Sequence, residues 1–140
     1  PHHESERAQS EAATGELFVK HWMHTALISM DGQKMSKSLG NLVFVDGLRE
    51  DFDPMAIRLG LIEHHYRVEW EWDDGLMPRN QQRLDAWRAA ADAAAGDVLD
   101  EVRERLDDDL DSPGAVAAVD AAAARGESTR AAAALLGVEL

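Results

Sequence analysis

The 140-residue chain contains no cysteine, which excludes disulfide bonds and thiolate metal ligands within it. It also lacks an apolar run long enough to cross a membrane, and no signal peptide is visible. Basic residues are scarce, because 14 Lys and Arg stand against 27 Asp and Glu and give a net charge of −13. This balance argues against broad binding to nucleic acid or an anionic membrane, and we expect a cytoplasmic protein.

Hydrophobic residues make up 45% of the chain, which predicts a folded protein rather than a disordered one. The length suits one domain or parts of two. The chain begins at Pro1 rather than at a methionine. From this we expect the C-terminal part of a longer protein.

The most informative stretch is Lys34-Met35-Ser36-Lys37-Ser38, called the lysine loop below. Turn residues flank it, with Asp31-Gly32 before and Gly40-Asn41 after. The lysines supply positive charge, while the hydroxyls and backbone N–H groups supply hydrogen bonds. Such groups stabilise the charge that grows on a departing pyrophosphate. Two lysines alone would indicate a solvated surface loop, but the whole string KMSKSLGN favours a nucleotide site.

Hydrophobic periodicity predicts the elements around this loop. Residues 2–14 should form a helix, and residues 17–22 and 25–30 should form short strands. Asp53-Pro54 should begin another helix, because Asp is a favoured N-cap and Pro a favoured first residue.

Several histidines are candidates for chemistry. His2 and Glu6 share one helical face and could hold zinc with ligands from elsewhere, although such a pair is more often solvated surface. His24 lies next to the strand that leads into the lysine loop and could contact a ligand. His64 and His65 would point in different directions on a helix, so packing and hydrogen bonding between domains are the favoured roles.

From about residue 74 the chain is alanine-rich and is predicted to be helical. We expect Leu84 and Trp87 to be core anchors and Ser128 to cap the last helix. The predicted helices span residues 76–94, 98–110 and 129–136, with a further helix that restarts at Asp111-Ser112-Pro113 and ends near Arg125-Gly126.

Five short motifs occur in the order and approximate spacing of cysteinyl-tRNA synthetase, a class I aminoacyl-tRNA synthetase, and the chain resembles that family. They are Pro1-His2-His3-Glu4, Trp22-Met23-His24, KMSKSLGN at 34–41, Ile57-Arg58-Leu59 and His65-Tyr66-Arg67. The tail, with Asp108–Pro113 and Leu135–Leu140, resembles a branch of the family, the actinobacterial mycothiol-pathway cysteine ligases. The resemblance covers essentially the whole chain.

The resemblance implies an α/β fold. Residues 1–73 would be the C-terminal part of a Rossmann-like catalytic domain, and residues 74–140 an α-helical domain. It further implies that cysteine and ATP, with Mg²⁺, give cysteinyl-adenylate and pyrophosphate. Lys34 and Lys37 would be catalytic, the lysine loop would bind ATP, and Ile28 would touch the adenylate.

A zinc ion is also implied, with His2 as a ligand and cysteines contributed from upstream. Glu6 matches a further ligand of the tRNA synthetases that the mycothiol-pathway enzymes do not generally keep. Zinc would bind the substrate thiolate and so distinguish cysteine from serine. The upstream ATP loop of the family is not in this sequence, so we expect residues 1–140 alone to be inactive.

The acceptor of the cysteinyl group separates the candidate functions. We expect the amine of glucosaminyl-inositol, with tRNA as the alternative and a non-catalytic module as a third possibility that the intact lysine loop disfavours. Residues 76–140 hold seven Arg and no Lys against thirteen Asp or Glu, a poor balance for RNA unless one face gathers the arginines. If residue 140 is the natural end, the tRNA alternative is also disfavoured, because a tRNA enzyme would continue into further helices and an anticodon-binding domain.

Overall fold

A computed structural model describes residues 2–140, except for the side chains of Ala95 and Asp97. The described residues are mixed α/β, with more helix than strand. None of the described helices combines the length and the apolar character needed to cross a bilayer. The elements are, in order, α1 (His2–Thr14), β1 (Ile28–Met30), β2 (Gln33–Lys34), α2 (Val45–Asp51), α3 (Pro54–Ile62), β3 (Trp70–Glu71), α4 (Leu76–Ala90), β4 (Ala95–Asp97), α5 (Leu99–Asp107), α6 (Ser112–Arg125), β5 (Glu127–Ser128) and α7 (Arg130–Leu135).

A three-stranded sheet of order β2-β1-β3 carries the lysine loop. β1 pairs antiparallel with β2, and pairs in parallel with β3, where Ile28 is opposite Trp70. The strand predicted over residues 25–30 is thus confined to Ile28–Met30. The strand predicted over residues 17–22 is wrong, because these mostly exposed residues pair with no strand in the described part of the chain.

The largest hydrophobic core lies among the helices. Leu84 and Trp87 of α4 are both fully buried, which confirms them as core anchors. Ala56 and Leu59 of α3 pack in the same core, together with residues of α5, α6 and α7. Gly60 of α3 faces α4, where a Cβ would displace the terminal methyl of the flexible Met77 side chain. The domain boundary at residues 73/74 stays a prediction, and α3 packs with the helices that follow it.

Side-chain capping explains where two of the helices, α3 and α6, begin. The Asp53 carboxylate accepts a hydrogen bond from the backbone N–H of Met55 at 2.8 Å, which confirms the predicted start of α3. Asp111 caps α6 in the same way, accepting from the N–H of Gly114 at 2.9 Å. Both α3 and α6 therefore begin where the sequence supplies a partner for an unpaired backbone donor.

Two predicted helix ends and one predicted cap differ from the structure. α4 ends at Ala90 rather than at residue 94, because the chain leaves the helix to form β4, which pairs with β5. α5 ends at Asp107 rather than at residue 110, because Asp109 and Leu110 adopt left-handed backbone conformations with φ of 52° and 57°. Ser128 does not cap α7; it lies in β5, and its hydroxyl donates to the carbonyl of Ala91 at 2.9 Å. The Ser128 hydroxyl thus forms a tertiary hydrogen bond instead of the local helix cap that the sequence predicted.

Candidate functional site

The lysine loop extends from a tight hairpin. Asp31 and Gly32 join β1 to β2, both with positive φ (53° and 70°), as a two-residue hairpin turn requires. The N–H of Gly32 donates to the Glu71 carboxylate of β3 at 2.7 Å. The turn predicted at this point is confirmed, and Glu71 ties it to the neighbouring strand.

Asn41 braces the lysine loop from its far end. Its side-chain oxygen accepts from the N–H of Ser36 at 2.9 Å, and its side-chain amide donates to the carbonyl of Lys34 at 3.3 Å. Gly40, with φ of 67°, allows the chain to reverse before Asn41. Sequence reasoning identified Gly40-Asn41 as the closing turn, but not the side-chain brace. The signal for it is the Asn that follows directly after the turn glycine.

The serines of the loop have partners within it. The Ser36 and Ser38 hydroxyl oxygens lie 3.1 Å apart, and the Ser36 oxygen accepts from the N–H of Leu39 at 3.3 Å. Met35 is held to the sheet, since its N–H donates to the carbonyl of Ile28 at 3.0 Å. These hydrogen bonds define the backbone conformation between Lys34 and Ser38.

Lys34 and Lys37 are exposed, and neither forms an ion pair within the part of the chain whose side chains are described. The ion pairs found in that part of the chain are all formed by arginine. In a chain with a net charge of −13, two unneutralised lysines on one braced loop are an unusual concentration of available positive charge. The arrangement is suited to an anionic group of a ligand.

Ile28 lies on the same hairpin as the lysine loop. It is half-buried and lines a cavity of about 250 Å³ with residues of the α3–β3 connection, among them His64 and Tyr66. His64 stacks on Trp70 with ring centroids 3.8 Å apart, and its Nδ1 lies 3.0 Å from the carbonyl oxygen of Gly60. The His64 side chain thus packs and lies within hydrogen-bond distance of a carbonyl as predicted, but with partners inside residues 1–73 rather than between the predicted domains. Contact between Ile28 and an adenylate stays a prediction.

His2 and Glu6, the predicted zinc ligands, are exposed on α1 and four residues apart. Imidazole and carboxylate are both suitable donors for zinc, but this pair supplies at most two of its usual four ligands. No group of three or more metal-ligating side chains is found among the described residues. The zinc site stays a prediction, and further ligands would have to join His2 and Glu6.

A cluster of rings joins the start of α1 to the segment before β1. His3 Nδ1 and His24 Nε2 lie 3.0 Å apart. Trp22 stacks on His3, with ring centroids 5.7 Å apart, and lies nearly parallel to His24. Sequence reasoning named His24 as a possible ligand contact but missed its pairing with His3, because 21 residues separate them.

Comparison with known proteins agrees with this geometry. The sequence profile of the family described as tRNA synthetases class I (C) catalytic domain matches residues 1–82. The chain belongs to this family. The hairpin, the lysine loop and the His3–Trp22–His24 cluster of this class I synthetase chain all lie in the matched residues, whereas α5, α6 and α7 lie beyond them.

The class I synthetase chain is also similar to proteins named L-cysteine:1D-myo-inositol 2-amino-2-deoxy-alpha-D-glucopyranoside ligase. It is 55% identical to that of Parafrankia sp., over 89% of this chain and 29% of the relative. The identity is 54% with Acidothermus cellulolyticus (86% and 31%) and 50% with Kytococcus sedentarius (96% and 34%). The expected resemblance to the mycothiol-pathway branch is confirmed. The chain spans about a third of the length of these curated relatives.

Proposed function

We propose that the chain supplies the lysine-loop part of an ATP-dependent cysteine ligase. A carboxylate oxygen of cysteine attacks the α-phosphorus of ATP, which carries Mg²⁺, and the bond to the departing pyrophosphate breaks. Negative charge accumulates on that pyrophosphate, and Lys34 and Lys37 stabilise it. The observation that carries this proposal is the braced loop with two exposed lysines, neither of which forms an ion pair with a described carboxylate.

In the second step, the amine of glucosaminyl-inositol attacks the carbonyl carbon of cysteinyl-adenylate. An amide bond forms, AMP leaves with the electron pair of the broken bond, and the amine must lose a proton. The names of the similar proteins support this choice of acceptor. His2 and Glu6 would help to hold zinc, which supplies affinity for the thiolate of cysteine.

The second candidate acceptor is tRNA, favoured by the description of the matching family. The ion pairs formed by the arginines of residues 76–140 disfavour that candidate. Each of the seven forms an ion pair with Asp or Glu, so RNA phosphates would have to displace carboxylates from them. These arginines are Arg79, Arg83, Arg88, Arg103, Arg105, Arg125 and Arg130.

The test is a pair of assays on a protein of the relatives' length that contains this chain. Pyrophosphate–ATP exchange should depend on cysteine, and serine should not replace it. With ATP and cysteine present, glucosaminyl-inositol and tRNA then compete as acceptors. Transfer to glucosaminyl-inositol supports the proposal; transfer to tRNA alone establishes the second candidate. Absence of cysteine-dependent exchange contradicts both.

A further inference from the structure

Asp109, in the turn between α5 and α6, binds two neighbouring residues of the α3–β3 connection. The Tyr66 hydroxyl donates to Asp109 Oδ1 at 2.7 Å. The Arg67 guanidinium donates through Nε to Oδ2 at 2.7 Å and through Nη2 to Oδ1 at 3.0 Å. The hydrogen bonds from Arg67, and then from Tyr66, hold the pKa of Asp109 below its usual value. All three donors converge on one carboxylate.

The turn that presents Asp109 has an unfavourable backbone. Asp109 and Leu110 both have positive φ, a conformation that disfavours side chains such as that of leucine. The turn is fixed on its far side by Asp111, whose N–H donates to the carbonyl of Arg105 at 3.0 Å and whose carboxylate caps α6. The surrounding structure thus holds Asp109 in a position that the local sequence does not favour.

A short series of hydrogen bonds leads from Asp109 to the lysine loop. The carbonyl of Tyr66 accepts from the N–H of Ala26 at 2.7 Å. Two residues later, Ile28 begins β1, and its carbonyl accepts from the N–H of Met35 at 3.0 Å. The Tyr66 side chain thus binds Asp109, while the Tyr66 carbonyl binds the segment just before β1. Tyr66 therefore links Asp109 to the strand that enters the hairpin.

We propose that Asp109 is a positioning residue for the lysine loop. By holding Tyr66 and Arg67, it fixes the anchor of β1 and thereby the place of Lys34 and Lys37 relative to ATP. This inference rests on the proposed function, because the position of the lysines matters for rate only if they stabilise departing pyrophosphate. It gives Asp109, in the turn between α5 and α6, a part in the chemistry of the lysine loop, which is distant in sequence.

Asp92 offers a matched control. It accepts from Arg130 Nε and Nη2, both at 2.8 Å, and so forms a two-point pair like that of Asp109 and Arg67. Both carboxylates are exposed, with side-chain exposures of 80% for Asp92 and 49% for Asp109. The Asp92 pair joins the end of α4 to α7 and does not touch the three-stranded sheet. Replacing either Asp109 or Asp92 therefore removes one exposed ion pair, so that this loss is the same in both cases.

The experiment compares Asp109→Asn with Asp92→Asn in the protein that contains the chain. Asparagine tolerates the left-handed conformation, so the turn should persist. Asp109→Asn should lower kcat of pyrophosphate–ATP exchange about tenfold, because small misplacement of a catalytic group is costly. The KM for cysteine should stay within about twofold. Amide hydrogen exchange should become several-fold faster over residues 25–41 and stay unchanged over α4.

Asp92→Asn should change neither kcat nor the amide exchange of residues 25–41. The proposal is overturned if the two variants behave alike, or if Asp109→Asn speeds amide exchange equally in α4 and α6, since that pattern indicates general destabilisation. If the unsubstituted protein shows no pyrophosphate exchange, the proposed function fails. The amide-exchange comparison then still decides whether Asp109 holds the loop.

Discussion

Residues 2–55 and residues 56–140 are held in place in different ways. The residues predicted to bind ATP, the adenylate or zinc all lie in the first region, which contains no buried residue among those described, whereas all buried residues of the described chain lie in the second. The first region even exposes large apolar side chains. These include Leu17, Phe18, Trp22, Met23, Leu27, Leu39, Phe44 and Val45.

The difference shows how this chain positions its functional groups. The lysine loop is shaped by backbone hydrogen bonds and by the brace from Asn41, not by a core of its own. The second region, residues 56–140, contains the hydrophobic core, which includes Leu84 and Trp87. Because stability in a protein is uneven, a loop held by a few exposed hydrogen bonds should open more readily than the helices do.

The largest expected effect concerns two tryptophans, one in each region. Trp87 is fully buried, and its indole N–H donates to Asp120 at 2.7 Å, whereas Trp22 is 47% exposed. Trp87→Ala should lower the free energy of unfolding by about 3–5 kcal/mol, the usual cost of a large cavity. Trp22→Ala should lower it by less than about 1 kcal/mol. Urea unfolding followed by circular dichroism measures both, and equal losses would show that the two regions do not differ in packing.

The next effect is on rate. Lys37→Ala, in a protein of the relatives' length that contains the chain, should slow pyrophosphate–ATP exchange by roughly 10²–10³-fold, the loss typical of one charge-stabilising donor. Lys20→Ala is the control, because Lys20 is also exposed but lies outside the lysine loop. Its rate should stay within about threefold of the unsubstituted protein. An unchanged rate for Lys37→Ala would remove this lysine from the mechanism.

The smallest effect lies at the junction of the regions. Asp53 caps α3 and forms an ion pair with Arg88 of α4 at 2.9 Å. Asp53→Ala should cost about 1 kcal/mol of unfolding free energy, as for other N-caps. The exposed Asp46 is the control, and Asp46→Ala should change stability by less than about 0.5 kcal/mol.

The Asp53 contribution should also depend on pH. The hydrogen bond from the Met55 N–H, with further help from Arg88, lowers the pKa of Asp53 below its ordinary value near 3.8. A lowered pKa means that the carboxylate stabilises the fold above pH 3.8 and that this stability is lost as pH falls through the folded pKa. The difference between the unsubstituted chain and Asp53→Ala should therefore shrink only below about pH 4. A difference that is constant down to pH 2 would contradict this assignment.

The sequence determined the features that depend on neighbouring residues. Asp53-Pro54 specifies the start of α3, Asp31-Gly32 specifies the hairpin turn, and the string 34–41 identifies the candidate loop. Each depends on backbone conformations and hydrogen bonds that a few adjacent residues decide. For this reason the order of residues along the chain was enough to locate the candidate loop.

Only the tertiary structure decided which distant residues meet. It paired Asp109 with Tyr66 and Arg67 across more than forty residues, and His3 with His24 across 21. It also used the Ser128 hydroxyl for a contact with Ala91 instead of a helix cap. No local pattern encodes such contacts, because they depend on how whole helices pack once apolar side chains leave water. The sequence alone thus located the lysine loop, whereas the tertiary structure decided which distant residues contact the elements around it.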